Sequence, residues 1–184
     1  RRTSELERVR TACGLTESTC LILPLDVADH ASIPAAVATA IAWKGSVDVV
    51  VNNAGVGAVT PLLASDMDAM EAMLTLNVNA LTRLTYAAAP GFVERGKGTY
   101  INIASIVAIS PETLNGVYGG SKAYVLALSH SLQHELGDKG VRVQVVLPGA
   151  TATDFWGTAG LPVEHLPKEM RPYLRKLGVT NRTQ

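Results

Sequence analysis

The sequence is poor in aromatics and cysteine and carries no excess charge of either sign, and each shortage narrows what the chain can be. Sixteen basic residues are matched by sixteen acidic ones, so no strong field draws nucleic acid or an anionic membrane surface. The only cysteines are Cys13 and Cys20. Their spacing fits no metal motif, and they read as free thiols of a reducing compartment. No apolar run is long enough to cross a bilayer. No signal peptide is visible, although the chain begins Arg1-Arg2 without a methionine. These shortages lead to the expectation of a cytoplasmic protein with neither membrane nor nucleic acid as partner. Hydrophobic residues make up 47% of the chain and aromatics 5%, which suits a globular core of Ala, Val and Leu. The 184 residues fit one domain, 1–184.

Strand and helix signals alternate along the chain. Thr3 to Ala12 reads as a polar helix. Leu21-Ile22-Leu23 is a short apolar run read as a strand, and Ser32 to Trp43 carries Ile33, Val37 and Ile41 at helical spacing. Val47 to Val51 is nearly continuous and β-branched, as in a strand buried on both faces. Ser65 and Asp68 form an acidic variant of a capping box, followed by Met67, Met70, Leu74 and Val78 on a helical period, with Pro90-Gly91 interrupting the helix near its end. Thr99 to Ala104 and Val141 to Leu147 are further strands. Between them Tyr118 to Leu136 presents Val125, Leu128, Leu132 and Leu136 as a core stripe, with Gly137 as its stop. The tail has a helix signal near Glu169 to Leu177. Such alternation predicts an α/β fold, a doubly wound parallel sheet in three layers.

Chemistry falls at the carboxyl ends of the strands, where ligands gather in such sheets. Asp26-Val27 follows one run, Asn52-Asn53-Ala54-Gly55 the next, Ser105 the third and Pro148-Gly149 the fourth. Tyr118 and Lys122 are four residues apart on a helix and therefore share a face. A phenol titrates near pH ~10, and an ammonium held close would stabilise the phenolate and bring it toward neutral pH. His130 and His134 also share a face, but no carboxylate motif accompanies them, so they read as surface or subunit-contact residues rather than metal ligands.

In order, Asn52-Asn53-Ala54-Gly55, Asn77, Ser105, Tyr118-Gly119-Gly120-Ser121-Lys122 and Pro148-Gly149-Ala150-Thr151-Ala152-Thr153 resemble the classical short-chain dehydrogenase/reductase family, over a stretch from Arg1 to about Phe155. The resemblance implies a Rossmann-like oxidoreductase that interconverts a small-molecule carbonyl and an alcohol with a nicotinamide cofactor. It implies Tyr118 as general acid-base, Lys122 as partner of the phenol and of the nicotinamide ribose, and Ser105 as the group that polarises the carbonyl. Asn77 would anchor a proton-relaying water leading to Lys122. Asp26 and Val27 would flank the adenine, and Thr151 and Thr153 would meet the carboxamide. Asn53, Ala54, Gly55, Pro148 and Gly149 would complete the cofactor site. Arg1 and Arg2 stand where an acidic residue would mark NAD, and arginine suits a 2′-phosphate, so NADP(H) is expected over NAD(H).

One element of the family pattern is missing. The glycine-rich turn that receives a pyrophosphate at a helix N-terminus is absent, and Gly55-Val56-Gly57 follows a different strand. The fold is therefore expected to be incomplete at its N-terminus. Val47 to Val51 would be an exposed apolar edge prone to aggregation, and the Leu21 strand would lack its neighbour. Two other functions stay open: a cofactor-free hydrolase using Ser105, Tyr118 and Lys122, although no Gly-x-Ser-x-Gly elbow occurs, and a non-catalytic remnant of the fold. Residues from about 150 to 184 read as a substrate-loop and tail region, with Phe155, Trp156, Leu161 and Leu166 as an apolar lid. The helices from Asp66 to about Ala89 and from Tyr118 to Leu136 should share one outer face of the sheet. In the family resembled they pair with their symmetry mates, so a homodimer or homotetramer is expected, with Ala123, Leu126 and Ala127 in close approach.

Overall fold

A strand at the edge of a sheet can pair on one side only, and β1 (Val49–Asn52) occupies that place in the computed structural model of the protein, which describes residues 2–111 and 115–149. The expectations for Arg1, Thr151, Thr153, the lid residues Phe155, Trp156, Leu161 and Leu166, and the helix near Glu169 to Leu177 lie outside the described residues. The sheet has three parallel strands in the order β1, β2 (Gly98–Ile103), β3 (Val141–Val146). Val49 pairs with Thr99 and Asn52 with Asn102, while Asn102 pairs on its other side with Val145.

The helices are α1 (Thr3–Ala12), α2 (Ile33–Lys44), α3 (Met67–Leu74), α4 (Leu81–Arg95) and α5 (Gly116–Leu136). Parallel neighbours need a crossover, and helices supply both: α3 and α4 join β1 to β2, and α5 joins β2 to β3. Ala88 and Phe92 of α4 and Leu132 of α5 bury against Tyr100, Val141 and Val143, so the two long helices lie on one face of the sheet as expected. This is the Rossmann-like α/β arrangement that the alternation predicts. A helical layer on the opposite face is not seen among the described residues. There Val49 and Val51 are 52% and 55% exposed, which corrects the reading of Val47 to Val51 as buried on both faces and agrees with that of an open apolar edge.

Several local expectations are corrected. Leu21-Ile22-Leu23 is not a strand, because no described strand lies beside it to complete a ladder. The cap of α3 is Asp66, not Ser65: Asp66 Oδ1 accepts from the backbone N–H of Asp68 and Ala69, while Ser65 Oγ turns back to the Thr60 and Pro61 carbonyls. Pro90 does not end α4. A proline costs the bond to the carbonyl four residues back, but the buried Phe92 anchors the last turn, and the helix runs on to Gly96 in the left-handed region (φ 62). Gly137 stops α5 as expected, directly after Leu136, but without a left-handed turn. Its backbone stays right-handed (φ −62, ψ −43) and opens a 3₁₀ turn, and Gly140 (φ 75) makes the reversal. A side chain at Gly140 would meet the carbonyl oxygen of Gly96 at 2.0 Å, so two helix ends touch through glycine just before β2 and β3 begin.

Candidate active site

Ser105 stands two residues beyond the end of β2 because strand pairing runs out there. Ala104 N–H still donates to the Val146 carbonyl, and Ile106 N–H then donates to that of Pro148. Ser105 caps the following 3₁₀ turn, Ile106–Ala108, accepting from Val107 N–H at 3.4 Å. Across from it α5 begins under Asn115, whose Oδ1 accepts from the N–H of Val117 and Tyr118 and whose Nδ2 donates to the Thr60 carbonyl. This cap fixes the first turn of α5, and with it Tyr118, against the loop after β1. The sequence reading missed Asn115, although an asparagine three places before a helical Tyr is a recognisable capping signal.

Tyr118 is 5% exposed and packs among Ala58, Met70, Met73 and Val107. Burial pushes its phenol above the ordinary range, and the hydrogen bond from the Ser105 hydroxyl pulls it back in part. Lys122 is 8% exposed, its Nζ lies 6.0 Å from the Tyr118 ring centroid, and it donates to the Ile103 carbonyl at 3.0 Å. Burial lowers its ammonium from 10.5 to about 8. The expected pull of Lys122 on the phenol is therefore overridden. Both groups lose water, and dehydration disfavours the charged form of each, which keeps the phenol neutral.

The shift at Lys122 has a consequence for stability. The folded value lies below the unfolded one, so the proton favours the unfolded chain: the penalty is full below about pH 8 and disappears as pH rises through 10.5. Lys122→Met removes the penalty and also the bond to Ile103. Net stabilisation of about 1–2 kcal/mol at neutral pH is expected, from a penalty of about 3 kcal/mol less about 1 kcal/mol for the lost bond. Denaturant titrations of wild type and variant without nucleotide should converge as pH is raised from 7 to 10. A variant less stable at pH 7, or curves that stay parallel, would refute this account.

Asn77 is buried within a π-helical turn, Thr75–Ala80, between α3 and α4. Its Oδ1 accepts from Val56 N–H at 3.0 Å, and its Nδ2 donates to the Val56 carbonyl at 2.8 Å and to Ser121 Oγ at 3.2 Å. Gly55 lies against it: a Cβ there would sit 3.0 Å from Asn77 Oδ1 and 3.6 Å from Lys122 Nζ. The structure thus gathers Gly55, Asn77, Tyr118 and Lys122 with Ser105. Asn53 and Ala54 are exposed on the same turn, and Pro148 and Gly149 follow β3 beside Ser105. Asp26 and Val27 lie on a separate loop, where Asp26 Oδ1 accepts from Ala28 N–H, and Arg2 is exposed at the head of α1. His130 and His134 are exposed on α5, and no group of metal-ligating side chains occurs among the described residues.

Sequence reasoning also missed a buried polar chain beneath the site. Asn52 Nδ2 donates to Asn102 Oδ1 at 2.8 Å across β1 and β2, and Asn102 Nδ2 donates to Ser129 Oγ on α5 at 2.9 Å. Its signal was polar residues at core positions of apolar strands. It fixes the register of the strands that lead to Asn53 and Ser105.

The residues fit the nicotinamide-ribose half of a dinucleotide. Among the described residues Lys122 donates only to Ile103, which leaves N–H groups for sugar hydroxyls, and Gly55 lacks the Cβ that would press on Asn77 Oδ1 at 3.0 Å. Among the described residues no helix is long and apolar enough to cross a membrane. Residues 1–161 match the family model described as short chain dehydrogenase. Dehydrogenase/reductase SDR family member 7 of Mus musculus is 32% identical over 93% of this chain and 52% of its own length. The 2-dehydro-3-deoxy-L-rhamnonate dehydrogenase (NAD(+)) of Sphingomonas sp. (strain SKA58) is 29% identical over 84% of this chain and 59% of its own. A solved short-chain dehydrogenase from Sphingobium yanoikuyae in complex with NADPH is 38% identical with a TM-score of 0.78, covering 91% of this chain and 64% of that one. The chain spans about half the length of the curated relatives it matches.

Proposed function

The chain belongs to the short-chain dehydrogenase family, and from that premise we propose that the protein interconverts a small-molecule carbonyl and an alcohol by hydride transfer, with NADP(H) preferred over NAD(H). The observation that carries this reading is the buried phenol of Tyr118, hydrogen-bonded to Ser105 and backed by Lys122. A nicotinamide dinucleotide supplies or accepts the hydride when bound, which leaves orientation and the proton to the protein. Ser105 holds the carbonyl oxygen by its hydroxyl. Tyr118 gives that oxygen its proton, and burial keeps the phenol protonated for the task. Lys122 binds the ribose hydroxyls and takes part in returning the proton. The space beside Gly55, bounded by Asn77 Oδ1 and Lys122 Nζ, suits a relaying water.

Arg1 and Arg2 are assigned to the 2′-phosphate, because Arg2 is exposed at the head of α1 and arginine pairs with phosphate in two-point fashion. Asp26 and Val27 are assigned to the adenine side, and Asn53, Ala54, Pro148, Gly149, Thr151 and Thr153 to the rest of the cofactor. Self-association is proposed through α4 and α5, where Tyr86 and Tyr124 are exposed and Thr82 Oγ1 meets Tyr124 Oη at 2.9 Å.

The test is the loss of NADPH absorbance when a panel of apolar and polar ketones is offered to the full-length protein, run in parallel with NADH. Turnover with NADPH is expected. The double variant Arg1→Ala, Arg2→Ala should lose roughly ten- to a hundredfold in NADPH affinity and little in NADH affinity. Absence of turnover with either nucleotide and every ketone, or ester hydrolysis without nucleotide, would sink the reading. Equal losses for the two nucleotides would remove the arginines from the 2′-phosphate.

A further inference from the structure

Ser121 lies one place before Lys122 and three after Tyr118, and it is 1% exposed. Its hydroxyl makes two bonds. It donates to the Tyr118 carbonyl at 2.7 Å, the usual back-bond of a helical serine, and it accepts from Asn77 Nδ2 at 3.2 Å. The second bond leaves α5 altogether and reaches the π-helical turn. Turns of this kind are rare, depart from the regular α-helical ladder and recur at functional sites, so a side chain projecting from one gains from an anchor outside its own helix.

The amide of Asn77 is the joint between three elements. It is bonded twice to the backbone of Val56, the residue after Gly55, and once to α5 through Ser121. Without Ser121 Oγ, Nδ2 would keep a single acceptor, and the turn carrying Gly55 could shift against Lys122 as one unit with Asn77.

We infer that Ser121 is a positioning residue for proton transfer at this site. It fixes the Asn77 amide, and through it the Gly55–Val56 turn, at a set distance from Lys122. The inference rests on the carbonyl-reductase reading above. Ser121 reaches neither substrate nor cofactor and acts only through Asn77. Threonine keeps the hydroxyl and should keep the function, whereas alanine, a better helix former, should fold well and lose it.

The experiment uses the full-length protein and five forms: wild type, Ser121→Ala, Ser121→Thr, Asn77→Ala and the double variant Ser121→Ala, Asn77→Ala. In Ser121→Ala, kcat for carbonyl reduction should fall about tenfold with the KM for NADPH nearly unchanged. The alkaline limb of its pH–kcat profile should move, and Ser121→Thr should restore both. The double variant should be no slower than Asn77→Ala by more than about twofold, because the two residues act as one unit. A wild-type kcat in Ser121→Ala, or losses that multiply independently, would overturn the proposal. Amide hydrogen exchange at Val56 gives a readout that needs no turnover: it should quicken in Ser121→Ala and not in Ser121→Thr. Unchanged exchange overturns the positioning role even if no ketone is reduced, whereas inactivity of the wild type with normal exchange differences counts against the enzymatic reading alone.

Discussion

Replacing Tyr118 with phenylalanine should lower kcat for ketone reduction at least a hundredfold while leaving nucleotide affinity within a few-fold of wild type. The ring stays, so the packing against Ala58, Met70, Met73 and Val107 is kept. Only the hydroxyl that shares a hydrogen bond with Ser105 is lost. General acid catalysis contributes about 10²–10⁴-fold, and the side chains packed around the Tyr118 ring, Ala58, Met70, Met73 and Val107, carry no group that could replace its proton. Burial holds the phenol above its usual range, so in wild type the proton-donating form persists across neutral pH and reduction should show no acid requirement there. Steady-state rates with NADPH, together with nucleotide titration by fluorescence, give the two numbers. A Tyr118→Phe enzyme within a few-fold of wild-type kcat would remove Tyr118 from the chemistry. A large loss of nucleotide affinity would instead make its hydroxyl a binding group.

The largest expected loss of stability lies far from that pocket. Gly98 opens β2 under the ring of Phe92, and a Cβ there would fall 2.1 Å from Phe92 Cγ and within 2.6 Å of two further ring atoms. Phe92 is fully buried and packs on Tyr100 in a tilted arrangement with ring centroids 4.9 Å apart, so the ring has no free space to enter. Gly98→Ala must either push the strand from the helix or expel the ring. The first is overpacking and the second forfeits much of a buried aromatic, so about 3–5 kcal/mol is expected. For a chain of this size that is a fall in Tm of roughly 6–20 °C. Adding Phe92→Leu should recover part of the loss, since the two substitutions share one volume and cannot add. Gly98→Ala within 1 kcal/mol of wild type, or strict additivity with Phe92→Leu, would contradict the packing described.

Periodicity and ordered motifs carried the parts of the fold that repeat. The three sheet strands and the Val125–Leu132 stripe follow from side-chain spacing, because burial imposes that spacing directly. The meeting of Ser105 with Tyr118 was legible as well, since each sits at a fixed offset from a strand end or a helix start. The features that escaped depend on partners distant in the chain. Leu21 to Leu23 has strand composition but no neighbour, and a strand is a pairing rather than a propensity. Asp66 and Ser65 compete for one cap, and what decides is the second bond each can make nearby. The direction of the Tyr118 shift needed burial and distance together: spacing put Lys122 on the right face but could not say that both side chains would be dry. Asn52, Asn102 and Ser129 are unremarkable in sequence and become one chain only across two strands and a helix.

The π-helical turn between α3 and α4 makes helix length part of the site. Met73, Asn77, Leu81 and Thr85 are all buried and follow one another at intervals of four. In an uninterrupted α-helix each such step overshoots a full turn by about 40°, so three steps would swing the last side chain about 120° away from the first. A π-helical turn accommodates about one extra residue, which takes back roughly 100° of that drift. Asn77 can therefore face Val56 while Leu81 and Thr85 still face the sheet. Residues 75–80 should tolerate exchange of outward-facing side chains, but one residue more or fewer would rotate either the amide off its turn or α4 off the core. In an alignment of such chains, gaps should collect in the loops and be excluded from this helix even where its letters vary.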